Sequence, residues 1–457
     1  MRGSGPDPNS WRDYQEMLRT SARRRSFIRR LPKLGLYGGT AFLMLVVIFY
    51  TGSWLFAYLG HEDQLPLVEK KQKDIWPESL SKKDLSDFLS HLNLNFPPET
   101  GNYFLVKKGV KFTVQTFIDT ALHNYILNLL RRSLTYQAAV VVLRPDNGQV
   151  LAMVNYKKDD NGGKENLCIK AAFPAASLFK IISAAAAIEA QGFTPDSAVV
   201  FRGRKHTLYR SQLKKCKGRY TSRTSFKKAF SGSINPVFGK IGIYYLGRKW
   251  MSEYAGKFFF NRDIPFDLPL DISNISVPED DFGLAEIASG FNKRTVISPL
   301  HAALITAAVA NNGVMMEPVL VKRIMDESGE VFYSATSKSL VRPIKESTAK
   351  NLKILMGDTV INGTCRKAFR PLLRSKLFKE IELGAKTGTI NDELDQYKYD
   401  WLTAYALPNN GERGICITVL AVHGKKLGIR SKDLARYIIK YRFTSKKRIK
   451  SITRSAG

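Results

Sequence analysis

The sequence predicts one α+β domain whose sheet draws on both ends of the chain, preceded by a single membrane-spanning helix. Two observations carry this. Strand-like runs come early and late with helical patterns between them, an order that marks α+β architecture. Ahead of them, residues 34–60 hold no charged side chain and exceed the roughly 20 residues needed to cross a bilayer. No internal repeat is visible. Hydrophobic residues make up 44% of the 457, enough for a large core, which excludes global disorder.

The elements follow in chain order. Residues 1–33 read as a basic, largely unstructured tail. The apolar run at 34–60 is too long for a cleaved signal peptide, whose apolar core has about 7–15 residues. It ends in Trp54, Phe56, Tyr58 and Leu59, which suit a membrane interface. Arg23, Arg24, Arg25, Arg29, Arg30 and Lys33 precede it, whereas His61, Glu62 and Asp63 follow. The positive-inside rule therefore places the tail in the cytoplasm and everything after residue 60 outside it. A formal net charge of +31 points to an anionic partner, the alternative being a basic proteome background. Outside the cytoplasm that partner is membrane lipid or an acidic polymer, and nucleic acid is excluded for the large domain.

Residues 61–109 read as a short connector, with Leu85, Phe88, Leu89 and Leu92 at helical spacing over 81–94. The globular domain is expected over 110–443. It opens with a strand at 114–118 and an amphipathic helix at 119–134. A hairpin joins 138–143 to 149–155 through Pro145-Asp146-Asn147-Gly148. An alanine-rich helix over 177–190 is closed by Gly192. The chain then stays mostly helical to about 312, returns to strands at 384–389, 401–406 and 415–422, and finishes in a helix over 432–441. Residues 444–457 form a basic tail, either attracted to anionic lipid or a wall polymer or simply solvated and frayed.

Cys168, Cys216, Cys365 and Cys416 show no CxxC pairing and no histidine at zinc spacing, so neither a metal nor a cofactor is expected. Disulfides and buried thiols both stay open.

Three short segments carry the chemistry. Ser177-Leu178-Phe179-Lys180 places a hydroxyl and an amine one helical turn apart, on one face. Serine needs a base to become nucleophilic, and a lysine serves if burial and nearby positive charge lower its pKa. The helix N-terminus beside it favours a developing oxyanion. Ser177 as an ordinary N-cap with Lys180 on the surface is the structural alternative. The same spacing at Ser79/Lys82, Ser211/Lys214, Ser225/Lys228 and Ser347/Lys350 lacks this context. Ser233-Ile234-Asn235 lies in a break between helical patterns. There the hydroxyl can relay a proton and the amide can orient a substrate, although both residues are also common in loops. Lys386-Thr387-Gly388-Thr389 sits on a strand where Gly388 lets a ligand backbone approach. Lys386 and the threonine hydroxyls can hold a carboxylate, and the N–H groups of Thr389 and Ser177 can form an oxyanion hole. An exposed strand with no such role is the alternative.

In this order the three segments resemble the signature of penicillin-binding proteins and related serine acyl-enzymes, S-x-x-K, a serine/asparagine motif and K-T-G. They lie 56 and 153 residues apart. Residues 116–119, 141–154, 298–318, Gly363-Thr364, Asn391-Asp392 and Asp400-Trp401 extend the resemblance across roughly 110–443. It implies an antiparallel sheet flanked by a helical subdomain, and a monofunctional, class B-like DD-transpeptidase. Ser177 would attack the penultimate D-Ala carbonyl of a peptidoglycan stem peptide, Lys180 would take its proton, and Ser233 would protonate the leaving amine while Asn235 positions the peptide. Lys386, Thr387, Gly388 and Thr389 would bind the substrate's terminal carboxylate. β-Lactams would acylate Ser177. A membrane glycan polymerase is an open partner. A DD-carboxypeptidase is the enzymatic alternative, and a β-lactam sensor or a non-catalytic wall-binding scaffold the other. The family's usual Pro-Gly-Ser is here Pro174-Ala175-Ala176-Ser177, and the added methyls are expected to narrow the opening.

Overall fold

A computed structural model describes residues 79–89, 92, 101–158, 165–215 and 220–455, with side chains through Thr444. The basic tail and the apolar run at 34–60 lie outside these residues. Among the described residues no helix is long and apolar enough to cross a membrane.

The central sheet has five antiparallel strands, in the spatial order Ile381–Asn391, Lys398–Pro408, Ile415–His423, Gln137–Leu143, Val150–Lys157. Both ends of the chain thus meet in one sheet, as the sequence pattern requires. Ile415–His423 is buried at every position, and its neighbour Gln137–Leu143 at all but the first. Such continuous apolar runs belong to strands covered on both faces. One face packs against the helices Thr120–Arg131 and Arg366–Leu373 and against Leu434, Ala435, Ile438 and Ile439 of the last helix. Helix Pro299–Ala310 packs on the sheet as well, and all twelve of its residues are buried. A helix that is apolar all round can only be a core element.

The predicted hairpin is present, with Gly148 at φ +73° closing its turn. The predicted amphipathic helix runs Thr120–Arg131, capped by Asp119, whose carboxylate accepts from Leu122 N at 3.0 Å. The expected strand at 114–118 is displaced to Val110–Thr116. The middle of the chain is helical but broken by a two-stranded antiparallel ribbon, Ala198–Phe201 with Ser222–Ser225. The final helix runs Ser431–Ser455, well past the expected end at 441 and through most of the segment read as a tail.

The stretch read as a connector is the largest departure. The compact unit begins at Glu78. Asn102–Lys107 forms a hairpin with Val110–Thr116 and joins Val321–Asp326 and Val331–Ser334 in a second sheet. Helix Lys82–Phe88 docks on it through Phe88 and Phe112, whose rings meet edge-on at 5.1 Å. The two turn residues, Lys108 and Gly109, both have positive φ, the geometry of the tight hairpin turn. Asn or Asp in the first place would have signalled it, and lysine there did not.

Candidate active site

Ser177 stands on a sharp turn. Phe173–Pro174 pairs with Val296–Ile297, and Trp401 Nε1 donates to the Pro174 carbonyl at 3.0 Å. The chain then turns at Ala176, φ +48°, into the 3₁₀ turn Ala176–Phe179 and the helix Lys180–Gln191, closed by Gly192 as expected. Ala175 and Ala176 are 2% and 1% exposed. Their methyls therefore pack against protein, that of Ala176 towards Gly388 of the motif strand.

Lys180 is fully buried. Its Nζ lies 2.8 Å from Ser177 Oγ and 2.8 Å from Asn235 Oδ1, and it also bonds the Ser289 carbonyl. Burial first, and the Lys386 charge second, hold its pKa well below the ordinary lysine range. A neutral amine has two N–H groups and one lone pair. The Asn235 Oδ1 and Ser289 carbonyl oxygens can only accept, so they consume both N–H groups. The lone pair is left for the Ser177 hydroxyl proton. Asn235 is held in the matching orientation, because its Nδ2 donates to the His206 carbonyl at 3.0 Å and its backbone N–H to the Lys205 carbonyl at 2.7 Å.

Ser233 precedes the helix Asn235–Ile241 in the left-handed region, φ +53°. Its Oγ accepts from Lys386 Nζ at 3.0 Å, so its own proton is free to point elsewhere. Lys386 is also fully buried and donates to the Thr387 carbonyl at 2.8 Å. Burial lowers its pKa to about 7. Thr387 Oγ1 lies 2.7 Å from Thr364 Oγ1, while Thr389 is exposed at the strand surface. A Cβ on Gly388 would lie 3.2 Å from Ala176 Cβ and 3.3 Å from Ser177 N, so this glycine lets the motif strand close on the nucleophile. Ile381–Asn391 is an edge of the sheet, and an edge strand leaves every second backbone group unpaired by its neighbour.

All three sequence segments thus converge, as two bonded clusters: Ser177 with Lys180 and Asn235, and Ser233 with Lys386. Sequence reasoning missed the Ser289 carbonyl, and it named Thr364 through the resemblance without foreseeing its bond to Thr387. A backbone acceptor leaves no residue signature, and Ser289-Gly290 reads only as a helix stop. Of the rival Ser/Lys pairs, Ser225 is an N-cap whose hydroxyl accepts from Lys228 N. Cys168, Cys365 and Cys416 are buried free thiols, whereas Cys216 lies outside the described residues. Burial pushes Cys168 and Cys365 up to about 12.

The model of the penicillin binding protein transpeptidase domain matches residues 138–439, which include all three segments. The chain belongs to this family. Similar relatives include the Bacillus subtilis stage V sporulation protein D, 24% identical over 74% of this chain and 53% of its own length. A Mycobacterium tuberculosis peptidoglycan D,D-transpeptidase, PbpA, is 27% identical over 63% of this chain and 62% of its own length. The chain therefore spans between half and two-thirds of the length of these relatives. Among solved structures, the imipenem acyl-enzyme complex of penicillin-binding protein A from Mycobacterium tuberculosis has a TM-score of 0.59. It is 22% identical and covers 72% of this chain and 78% of that one. The α+β penicillin-binding fold expected from the motifs is the one found.

Proposed function

We propose that this chain is a membrane-anchored DD-transpeptidase that cross-links peptidoglycan stem peptides through an ester on Ser177. The observation that carries the reading is the buried, charge-depleted Lys180 bonded to Ser177 and to two pure acceptors. The Ser177 oxygen attacks the penultimate D-Ala carbonyl carbon while its proton passes to Lys180 Nζ. The resulting oxyanion faces the N–H groups of Ser177 and the edge strand. Collapse breaks the C–N bond, and Ser233 relays the Lys180 proton to the departing D-Ala amine, giving its own and recovering that one, so that Lys180 is neutral again. An amine of a second stem peptide then attacks the ester carbon and returns a proton through Lys180 to Ser177. Lys386, Thr387 and Thr389 hold the donor's terminal carboxylate, with Gly388 leaving room for the peptide along the edge strand.

The uncharged run at 34–60 supports anchoring in the cytoplasmic membrane with the catalytic domain outside. In that setting lipid and β-lactams are partners, and a membrane glycan polymerase remains a candidate one.

The full chain is expected to be labelled covalently by a fluorescent penicillin, and Ser177→Ala to lose the label. Labelling of the mutant would overturn the role of Ser177, and an unlabelled wild type would favour a wall-binding scaffold. Supplying a donor peptide with an acceptor amine should yield cross-linked product. D-Ala release with no transfer would assign a carboxypeptidase instead.

Lys386 adds a pH prediction. It binds carboxylate only as an ammonium, and its free-enzyme pKa is about 7. The value of kcat/KM for a donor peptide should therefore decline as pH rises through about 7, because kcat/KM reports the free enzyme. A bound carboxylate favours the charged form, so the limb in kcat should lie higher. A kcat/KM flat from about pH 6 to pH 9 would remove Lys386 from donor binding.

A further inference from the structure

The sequence around Ser233 has an unusual charge. From residue 197 to residue 252 there is no aspartate or glutamate, while 14 lysines and arginines occur in the same 56 positions. Part of that run is fixed beside the reacting groups. The Lys205 and His206 carbonyls accept the two Asn235 bonds, which pins the segment 202–206 to the cleft. Gln212 Nε2 holds the segment from behind by donating to the Arg202 and Arg204 carbonyls at 3.0 and 3.1 Å. His206 lies near enough to Lys180 and Lys386 to feel both charges, and its ring bonds the Ser233 backbone. Arg204, Lys205 and His206 are exposed and Arg202 half-buried. No carboxylate lies within ion-pair distance of Arg202, Arg204 or Lys205 among the described residues.

We infer that this segment is a cationic wall of the cleft, selecting stem peptides whose carboxylates upstream of the D-Ala-D-Ala end are free acids. The inference rests on the proposed transpeptidase reading and adds the class of substrate. Cations without local counter-charges raise the local concentration of an anionic ligand and bias the choice between an acid and its neutral amide. Phosphate-bearing polymers share the negative charge but lack a D-Ala carbonyl to present to Ser177, so the wall is assigned to peptide carboxylates.

The test uses the full chain in detergent micelles and two synthetic pentapeptide donors. They are identical except that the upstream carboxylates are free in one and amidated in the other. The wild type should favour the acid donor in kcat/KM by about tenfold at low salt, the effect of a few solvent-exposed charges acting together. The preference should shrink as salt screens it. The double variant Arg202→Gln/Arg204→Gln should fall to within about twofold, chiefly through KM, and Arg202→Lys/Arg204→Lys should restore the preference. Equal use of both donors by the wild type, or an unchanged preference in the glutamine variant, would overturn the wall. Inhibition by short inorganic polyphosphate with no acid–amide discrimination would reassign it to phosphate. Penicillin labelling separates the two levels: a wild type that labels but does not discriminate loses only this inference, whereas one that never labels loses the transpeptidase reading.

Discussion

Lys180→Met should slow benzylpenicillin acylation by about a thousandfold, in the range expected for loss of a positioned general base. The thioether fills nearly the same volume but has no usable lone pair for the Ser177 proton. The fold should survive. Removing the amine relieves a buried polar group, while the Ser289 carbonyl and Asn235 Oδ1 each lose a donor at a cost of about 1–3 kcal/mol. Lys180→Arg should not rescue, because a guanidinium stays protonated and cannot accept. Stopped-flow acylation together with thermal melting measures both effects. A methionine variant acylated within tenfold of the wild type would show that the proton leaves Ser177 by another route.

Gly290→Ala is expected to have the largest effect of any single methyl. The residue closes helix Asp281–Ser289 at φ +61°, and a Cβ there would lie 1.9 Å from the Ala176 carbonyl oxygen and 3.0 Å from Ser177 N. The left-handed conformation alone costs an alanine about 1–2 kcal/mol. The clash must also move either the nucleophile turn or the Ser289 carbonyl, and Lys180 is bonded to both sides. We expect a stability loss of about 3 kcal/mol or more, and acylation impaired even far below the melting temperature. Gly192→Ala separates the two causes. Its φ is +69° but nothing lies within 4 Å of its added Cβ, so it should cost only the conformational strain. Wild-type acylation by folded Gly290→Ala would mean that the turn tolerates displacement.

Much of this arrangement was legible in the sequence. Pro145-Asp146-Asn147-Gly148 marked a hairpin because its turn chemistry is local. The three motifs picked out side chains that the fold brings into bonding distance, because the proposed nucleophile, base and carboxylate ligand each require a particular residue type. The unread parts depend on information a residue name does not carry. The Ser289 carbonyl matters through its position alone. The N-terminal sheet turns on a lysine in a conformation usually given to asparagine or glycine. The last helix ran on because no proline or glycine occurs between Ser431 and Ser455 to stop it, although its apolar periodicity fades after Tyr441.

The strand order of the central sheet carries a consequence for biogenesis. Ser177 is synthesised early, yet the edge strand that faces it is held only by Lys398–Pro408, which in turn needs Ile415–His423 to reach back to Gln137–Leu143. These pairings span much of the chain, and such long loops close late in folding. On the proposed reading, a growing polypeptide thus has Ser177 but not the edge strand that faces it until residues near 423 have arrived. Chains truncated before that point are then expected to take no penicillin label, so that an antibiotic would meet its target only in the finished molecule.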